Sequence, residues 1–80
     1  MAEKKTWYYI QYEHRYTSKT TGRSQDWSQQ EIITQEYPLD FLMNNRKNYG
    51  EDDHARYEYR LLFWAEIPEE TALKYKEAFV

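Results

Sequence analysis

The longest run of alternating side chains in the chain covers residues 55–67 and predicts a β-strand. Its odd-numbered positions are apolar or aromatic: Tyr57, Tyr59, Leu61, Phe63, Ala65 and Ile67. Its even-numbered positions carry a second set of side chains: Arg56, Glu58, Arg60, Leu62, Trp64 and Glu66. A period of two places successive side chains on opposite faces of a sheet. A strand of this length needs partner strands, so the run constrains the fold more than any other feature.

Residues 6–17 and 28–36 predict those partner strands. In the first of them, Tyr8, Ile10 and Tyr12 fall at alternate positions, and aromatic and β-branched residues favour strands. The polar stretch between the two runs contains a glycine and is typical of a hairpin loop. The three strands together indicate a mainly antiparallel sheet.

Two helices are predicted, over residues 38–49 and 68–79. Pro38 fits the first turn of a helix, Asp40 complements the helix dipole near the N-terminus, and Gly50 is a common C-terminal stop. The order of elements is then β-β-α-β-α. It indicates one α+β domain over residues 1–80, a three-stranded sheet with helices packed chiefly on one face.

The alternation also predicts which side chains lie in the core and which form a second sheet face. The expected core consists of Ile10, Tyr12, Leu61 and Phe63, with Leu42 and Met43 packed over them. The expected second face carries rings and guanidinium groups: Trp7, Tyr9, Arg56, Arg60 and Trp64. The alternative is that the C-terminal helix folds back over both tryptophans and makes them core.

The aromatic content exceeds what a core of this size needs. The chain of 80 residues contains 3 Trp, 9 Tyr and 3 Phe, and its net charge is −3. Exposed rings beside arginine are typical of binding surfaces, whereas proteins that bind nucleic acid usually carry a basic excess. The chain has no cysteine and no signal-peptide pattern, and its longest apolar run, residues 61–65, is too short to cross a bilayer. We therefore expect a cytoplasmic protein.

Catalytic and metal-binding patterns are missing from the sequence. His14 and His54 are the only histidines, and neither falls in a helical zinc motif or a calcium loop. There is no serine elbow and no glycine-rich phosphate loop. We expect no cofactor, no metal site and no enzymatic activity.

Two classes of function follow, both of them binding. The first is recognition of a protein, with the second sheet face as the contact surface and the acidic loop of Glu51, Asp52 and Asp53 as a further candidate. Self-association through the same sheet face is a variant of this hypothesis. The alternative is a single-strand nucleic-acid binder in which the same rings act together with basic residues and a histidine: His14, Arg15, Lys19 and Arg23.

In size, acidity, aromatic content and lack of active-site motifs, the chain resembles small accessory proteins of bacteriophages and mobile elements. That group includes anti-CRISPR and anti-restriction inhibitors, which act by occupying a surface of a larger target. The resemblance implies an inhibitor that binds a protein partner, and it assigns no role to any residue.

Overall fold

The computed structural model describes residues 5–79 and confirms the α+β fold and the order of its elements. The three strands are β1 (Trp7–Ser18), β2 (Ser28–Thr34) and β3 (Ala55–Ile67). The helices are α1 (Pro38–Tyr49) and α2 (Glu69–Tyr75), and a single 3₁₀ segment, Lys76–Phe79, follows α2. Within the described residues, no helix has the length and apolar character needed to cross a membrane.

Strand β1 is the central strand of an antiparallel sheet with the order β2-β1-β3. Ile10 lies opposite Ile32 of β2 and opposite Trp64 of β3, and its side chain is completely buried. The hairpin loop between β1 and β2 turns at Gly22, whose φ of 73° lies in the left-handed region that favours glycine. The Gly22 N–H donates to the carbonyl oxygen of Ser18 at 2.8 Å and closes the turn.

A β-bulge interrupts the pairing of β1 with β3. Gln11 lies opposite Phe63 and Tyr12 lies opposite Leu61, so Leu62 is an extra residue without a partner on β1. One extra residue reverses the facing of every later side chain in the strand. The predicted core position of Phe63 is therefore wrong, because the bulge turns it to the opposite face, where 52% of its surface is exposed.

Helix α1 packs mainly over β3 on one face of the sheet, which we call the helix face. This face carries the even-numbered side chains of β1, and it includes Tyr12, whose ring lies 5.0 Å from that of Phe41. Phe41 and Leu42 of α1 are buried, as the fold requires. Met43 was predicted to lie in the core, but this is wrong: it is 57% exposed, because successive residues lie about 100° apart around a helix.

Helix α2 packs on the opposite face at the end of the sheet where β1 begins. Trp7, Ile33 and Ala72 form a buried cluster there, and Tyr9 and Ile67 pack against it. The two helices thus lie on different faces of the sheet, and not chiefly on one face as the sequence predicted, because α2 packs on Trp7 and Ile33. The rest of this second face has no helix over it among the described residues, and we call it the open face. It begins at Tyr9, which borders the α2 cluster, and continues with Gln11, Glu13, Arg15, Arg56, Glu58, Arg60 and Phe63.

Candidate partner-binding surface

The structure brings together only part of the predicted contact surface. Tyr9, Arg56 and Arg60 share the open face, as expected from the alternation. Trp7 is on the same side of the sheet, but α2 covers it and leaves it 9% exposed. Trp64 was expected on this surface, and that expectation is wrong, because the bulge places it on the helix face. There its ring lies 5.9 Å from the ring of Tyr8.

Two cross-strand ion pairs form the centre of the open face. Arg15 donates from Nη2 to Oε1 of Glu58 at 2.7 Å, and Arg60 donates from Nε to Oε1 of Glu13. The pairs follow from the register, because Glu13 lies opposite Arg60 and Arg15 lies opposite Glu58. Opposite charges at directly facing positions are favourable on an antiparallel sheet. The result is a charge-balanced ladder, by which we mean these four residues.

Trp27, which no sequence pattern marks as part of a site, lies over this ladder. The guanidinium carbons of Arg15 and Arg60 are 4.6 and 4.0 Å from the centroid of its ring. Contacts of this kind contribute about 0.5–1 kcal/mol at exposed sites and hold the guanidinium groups in place. Trp27 precedes β2 and has no alternating neighbours, so only the folded hairpin reveals its position. The ladder and Trp27 together present an ordered surface rather than free charges.

Phe63 provides an exposed apolar group beside the ladder. Its ring lies 6.3 Å from the ring of Tyr9, whose hydroxyl accepts a hydrogen bond from Nε2 of Gln11 at 2.8 Å. Phe63 lies opposite Gln11, and Trp27 contacts both arginines, so the half-exposed Phe63 ring and the partly buried Trp27 ring lie on the same face as the ladder. A buried aromatic anchor with arginine around it is the usual composition of the strongest contacts in protein interfaces.

The acidic loop before β3 uses its carboxylates within the molecule. Glu51 contacts Nζ of Lys19 at 3.1 Å and Nε of Arg56 at 3.7 Å, and the hydrogen bond from Lys19 lowers the pKa of Glu51. Oδ1 of Asp52 accepts hydrogen bonds from the backbone N–H groups of His54 and Ala55, both at 2.8 Å, which lower the pKa of Asp52. These two residues thus shape the entry into β3.

Asp53 differs from its two neighbours in the acidic loop. It is exposed and forms no ion pair with any residue that the structure describes. Of the three acidic residues, it is therefore the one whose carboxylate is available to a partner.

The residues of the nucleic-acid alternative are dispersed. His14 lies on the helix face between the rings of Tyr12 and Tyr59, at 6.5 and 6.1 Å. Arg15 is on the open face in its ion pair with Glu58, and Lys19 is paired with Glu51. Arg23 lies in the exposed hairpin loop, where its carbonyl oxygen accepts a bond from the N–H of Ser18. The four residues do not form one basic surface.

No group of three or more His, Cys, Asp or Glu side chains within residues 5–79 is arranged to hold a metal ion. A shallow groove beside the ladder is lined by Trp27, Arg56 and Tyr57 among others, and it is open to solvent. Such a groove suits a surface contact better than an enclosed small-molecule site. Comparison of the chain with protein-family models, with curated proteins and with solved structures finds no match.

Proposed function

We propose that the protein is a non-catalytic binding module that recognises a protein partner through its open face. One observation carries the proposal: the exposed Phe63 ring shares a face with the charge-balanced ladder, whose two arginines contact the ring of Trp27. Arginine and aromatic residues are enriched where interfaces are most strongly bound. Side chains that are already ordered lose less conformational entropy when a partner binds.

The ion pairs support a protein partner rather than a nucleic acid. Binding to phosphates draws its free energy from cations that replace counterions along the backbone. Here Arg15, Arg60, Arg56 and Lys19 already have carboxylate partners, and the whole chain carries a net charge of −3. A phosphate would have to compete with each carboxylate. A protein surface that contacts the rings of Phe63 and Trp27 does not have to displace these carboxylates.

The proposal includes a place and a mode of action. We propose that the protein acts in the cytoplasm, as an accessory or inhibitor protein of the phage or mobile-element type, by occupying a surface of a larger partner. The lack of cysteine supports the cytoplasm, and the resemblance to small accessory proteins in size, acidity and aromatic content supports the mode of action. Fractionation of cells that express the protein tests the compartment, and the partner's activity with and without the protein tests the inhibition.

Affinity capture with matched variants tests the contact surface. The immobilised protein, Phe63→Ala and Leu73→Ala are each incubated with lysate of the source cells. Leu73 is a suitable control because it is 53% exposed, similar to Phe63, but lies in α2. We expect one partner to be retained by the parent and by Leu73→Ala and to be lost by Phe63→Ala. Urea melts of each variant show that the loss does not come from unfolding.

Oligonucleotide binding distinguishes the nucleic-acid alternative. Single-stranded DNA and RNA are titrated by fluorescence anisotropy between about 0.05 and about 0.5 M salt, a range over which phosphate-driven affinity falls by orders of magnitude. We expect no binding tighter than that of a protein with the same net charge. Tight, salt-sensitive binding of either oligonucleotide would contradict the proposed function.

A further inference from the structure

Strand β3 is an outer strand with an apolar segment along its free edge. Leu62, Phe63 and Trp64 are 44%, 52% and 40% exposed. A bridge between Glu51 and Arg56 occupies the start of this edge, and within residues 5–79 no strand pairs with the rest of the side of β3 that faces away from β1. Natural proteins usually protect such edges with charge, proline, a short strand, a covering loop or a β-bulge, and the bulge at Leu62 is the device of this kind within the apolar segment of β3. The other outer strand, β2, is protected in this way, since it has only 7 residues and is polar over most of its length. Beyond the bridge at Arg56, residues 58–67 of β3 form a longer edge with an apolar centre.

The backbone groups that point outward from this edge can be identified from two hydrogen bonds. The N–H of Tyr57 donates to Gly50 at 2.8 Å, and the carbonyl oxygen of Tyr59 accepts from Arg46 at 2.9 Å, so both residues direct their backbone groups away from β1. Outward groups alternate along an antiparallel strand, and the bulge at Leu62 shifts the alternation by one residue. Leu61, Trp64 and Glu66 therefore point their backbone groups outward.

Helix α1 places a second apolar row beside this edge. Leu39 and Met43 are 52% and 57% exposed, and they lie on the same stripe of the helix as Arg46, at spacings of four and three residues. Because Arg46 reaches the edge of β3 at Tyr59, the two apolar residues of its stripe flank the same edge. The edge of β3 and this stripe together form one apolar surface.

We propose that this edge pairs with the same edge of a second copy of the chain, antiparallel and about a two-fold axis, to give a six-stranded sheet. The pairing runs through the bulge, so its register must meet two conditions before and after the bulge. Residues with outward-pointing backbone groups must lie opposite each other, and paired side chains must lie on the same face of the sheet. Pairing Leu61 with Trp64 of the second copy, and Tyr59 with Glu66 of the second copy, meets both conditions. It places the axis between Leu62 and Phe63, at the centre of the apolar segment.

Charge complementarity supports a second copy as the occupant. Arg46 lies level with Tyr59 on the helix face, and Glu66 is on the same face, opposite Tyr8. Neither Arg46 nor Glu66 forms an ion pair with a described residue of its own chain. In the proposed register, Arg46 of each copy lies beside Glu66 of the other copy. The two-fold axis therefore gives two intermolecular ion pairs. No like charges face each other in the paired segment.

The helices fit the same axis. Tyr37 lies just before α1, and its ring is 5.8 Å from that of Trp64, which fixes the level at which the helix begins. Met43 is six residues further on, or about 9 Å along the helix, which equals about three residues of strand. Because Leu62 is an extra residue, this distance from Trp64 reaches a level between Leu61 and Arg60. Met43 thus lies close to the axis, where it meets the α1 stripe of the second copy. The dimer would bury the apolar row that a single chain leaves exposed.

The test is the mass of the purified full chain in solution, with charge-reversed variants. Sedimentation equilibrium between about 1 and about 200 µM, the range of weak to moderate dimers, should give twice the chain mass of 10.0 kDa. Arg46→Glu and Glu66→Arg should each weaken dimerisation at least tenfold. An equimolar mixture of the two variants should restore a dimer, because each new charge then meets an opposite one. Lys47→Glu, an exposed neighbour in α1, is the control and should dimerise like the parent.

Three outcomes would overturn the proposal: a monomer at every concentration, open-ended oligomers, or charge-reversed variants that dimerise like the parent. The measurement requires no other protein and leaves the open face unchanged. Its failure is therefore separate from a failure of the proposed function.

Discussion

Replacing Ile10 by Ala tests the central packing and the effect of the bulge together. Ile10 is 0% exposed and lies between Ile32 and Trp64. The substitution removes three carbon groups, and at about 0.8 kcal/mol for each buried group the transfer loss is about 2.4 kcal/mol. A cavity that the neighbours fill only partly adds to this, which gives the range of about 2–5 kcal/mol seen for such changes. A domain of this size has a total stability of about 4–12 kcal/mol, so the loss is a large share.

Phe63→Ala is the matched comparison, because simple alternation would place Phe63 in the same core. It is 52% exposed, and burying a whole phenylalanine contributes about 1.5–3 kcal/mol, so its truncation should cost about 1 kcal/mol. Urea melts followed by circular dichroism give both values. At about 4–8 °C for each kcal/mol, Ile10→Ala should lower the melting temperature by at least about 10 °C. If Phe63→Ala costs as much as Ile10→Ala, the bulge does not reverse the faces, and our assignment of the open face fails.

Three further predictions concern the helix end and the titratable groups. Gly50→Ala should cost about 1–3 kcal/mol in urea melts, because a Cβ there would collide with the carbonyl oxygen of Arg46. The lowered pKa of Asp52 contributes stability that is present above the unfolded pKa, about 3.9, and is lost as the pH falls below it. The urea midpoint of Asp52→Asn should therefore depend less on pH between about 5 and about 3. Burial raises the pKa of Tyr12 and of Tyr59, so stability present below the unfolded tyrosine pKa, about 10, is lost as the pH rises through the folded values. Absorbance titration should show two phenols that ionise at a higher pH than an exposed tyrosine.

The sequence predicted the elements better than it predicted the faces. The run over residues 55–67 and the proline and glycine at the ends of α1 carry local signals, and both elements lie where these signals indicate. The four residues Leu61–Trp64 are all apolar, so they contain no alternation from which a change of phase could be read. The bulge falls within these four residues. The predicted faces of Phe63 and Trp64 were therefore wrong for the same physical reason, which is the bulge.

The ladder could have been anticipated only from the register. Glu13 and Arg60 are 47 residues apart in sequence, and nothing local relates them. Once β1 and β3 are aligned, the pairing of Glu13 with Arg60 and of Arg15 with Glu58 follows directly. The position of Trp27 is even harder to predict, because Trp27 lies outside any regular element. The path of the hairpin loop places it over the ladder.

The central position of β1 has a consequence for how the chain folds. Its contacts with β2 close a short hairpin, whereas its contacts with β3 join segments that are 43 residues apart at Arg15 and Glu58. Closing the longer loop costs more chain entropy, so we expect the hairpin to form first and the arrival of β3 to limit the folding rate. During synthesis β1 emerges well before β3, and one side of it has no hydrogen-bonding partner until β3 leaves the ribosome. The nascent chain is then most exposed to misassembly in the interval before its last strand docks.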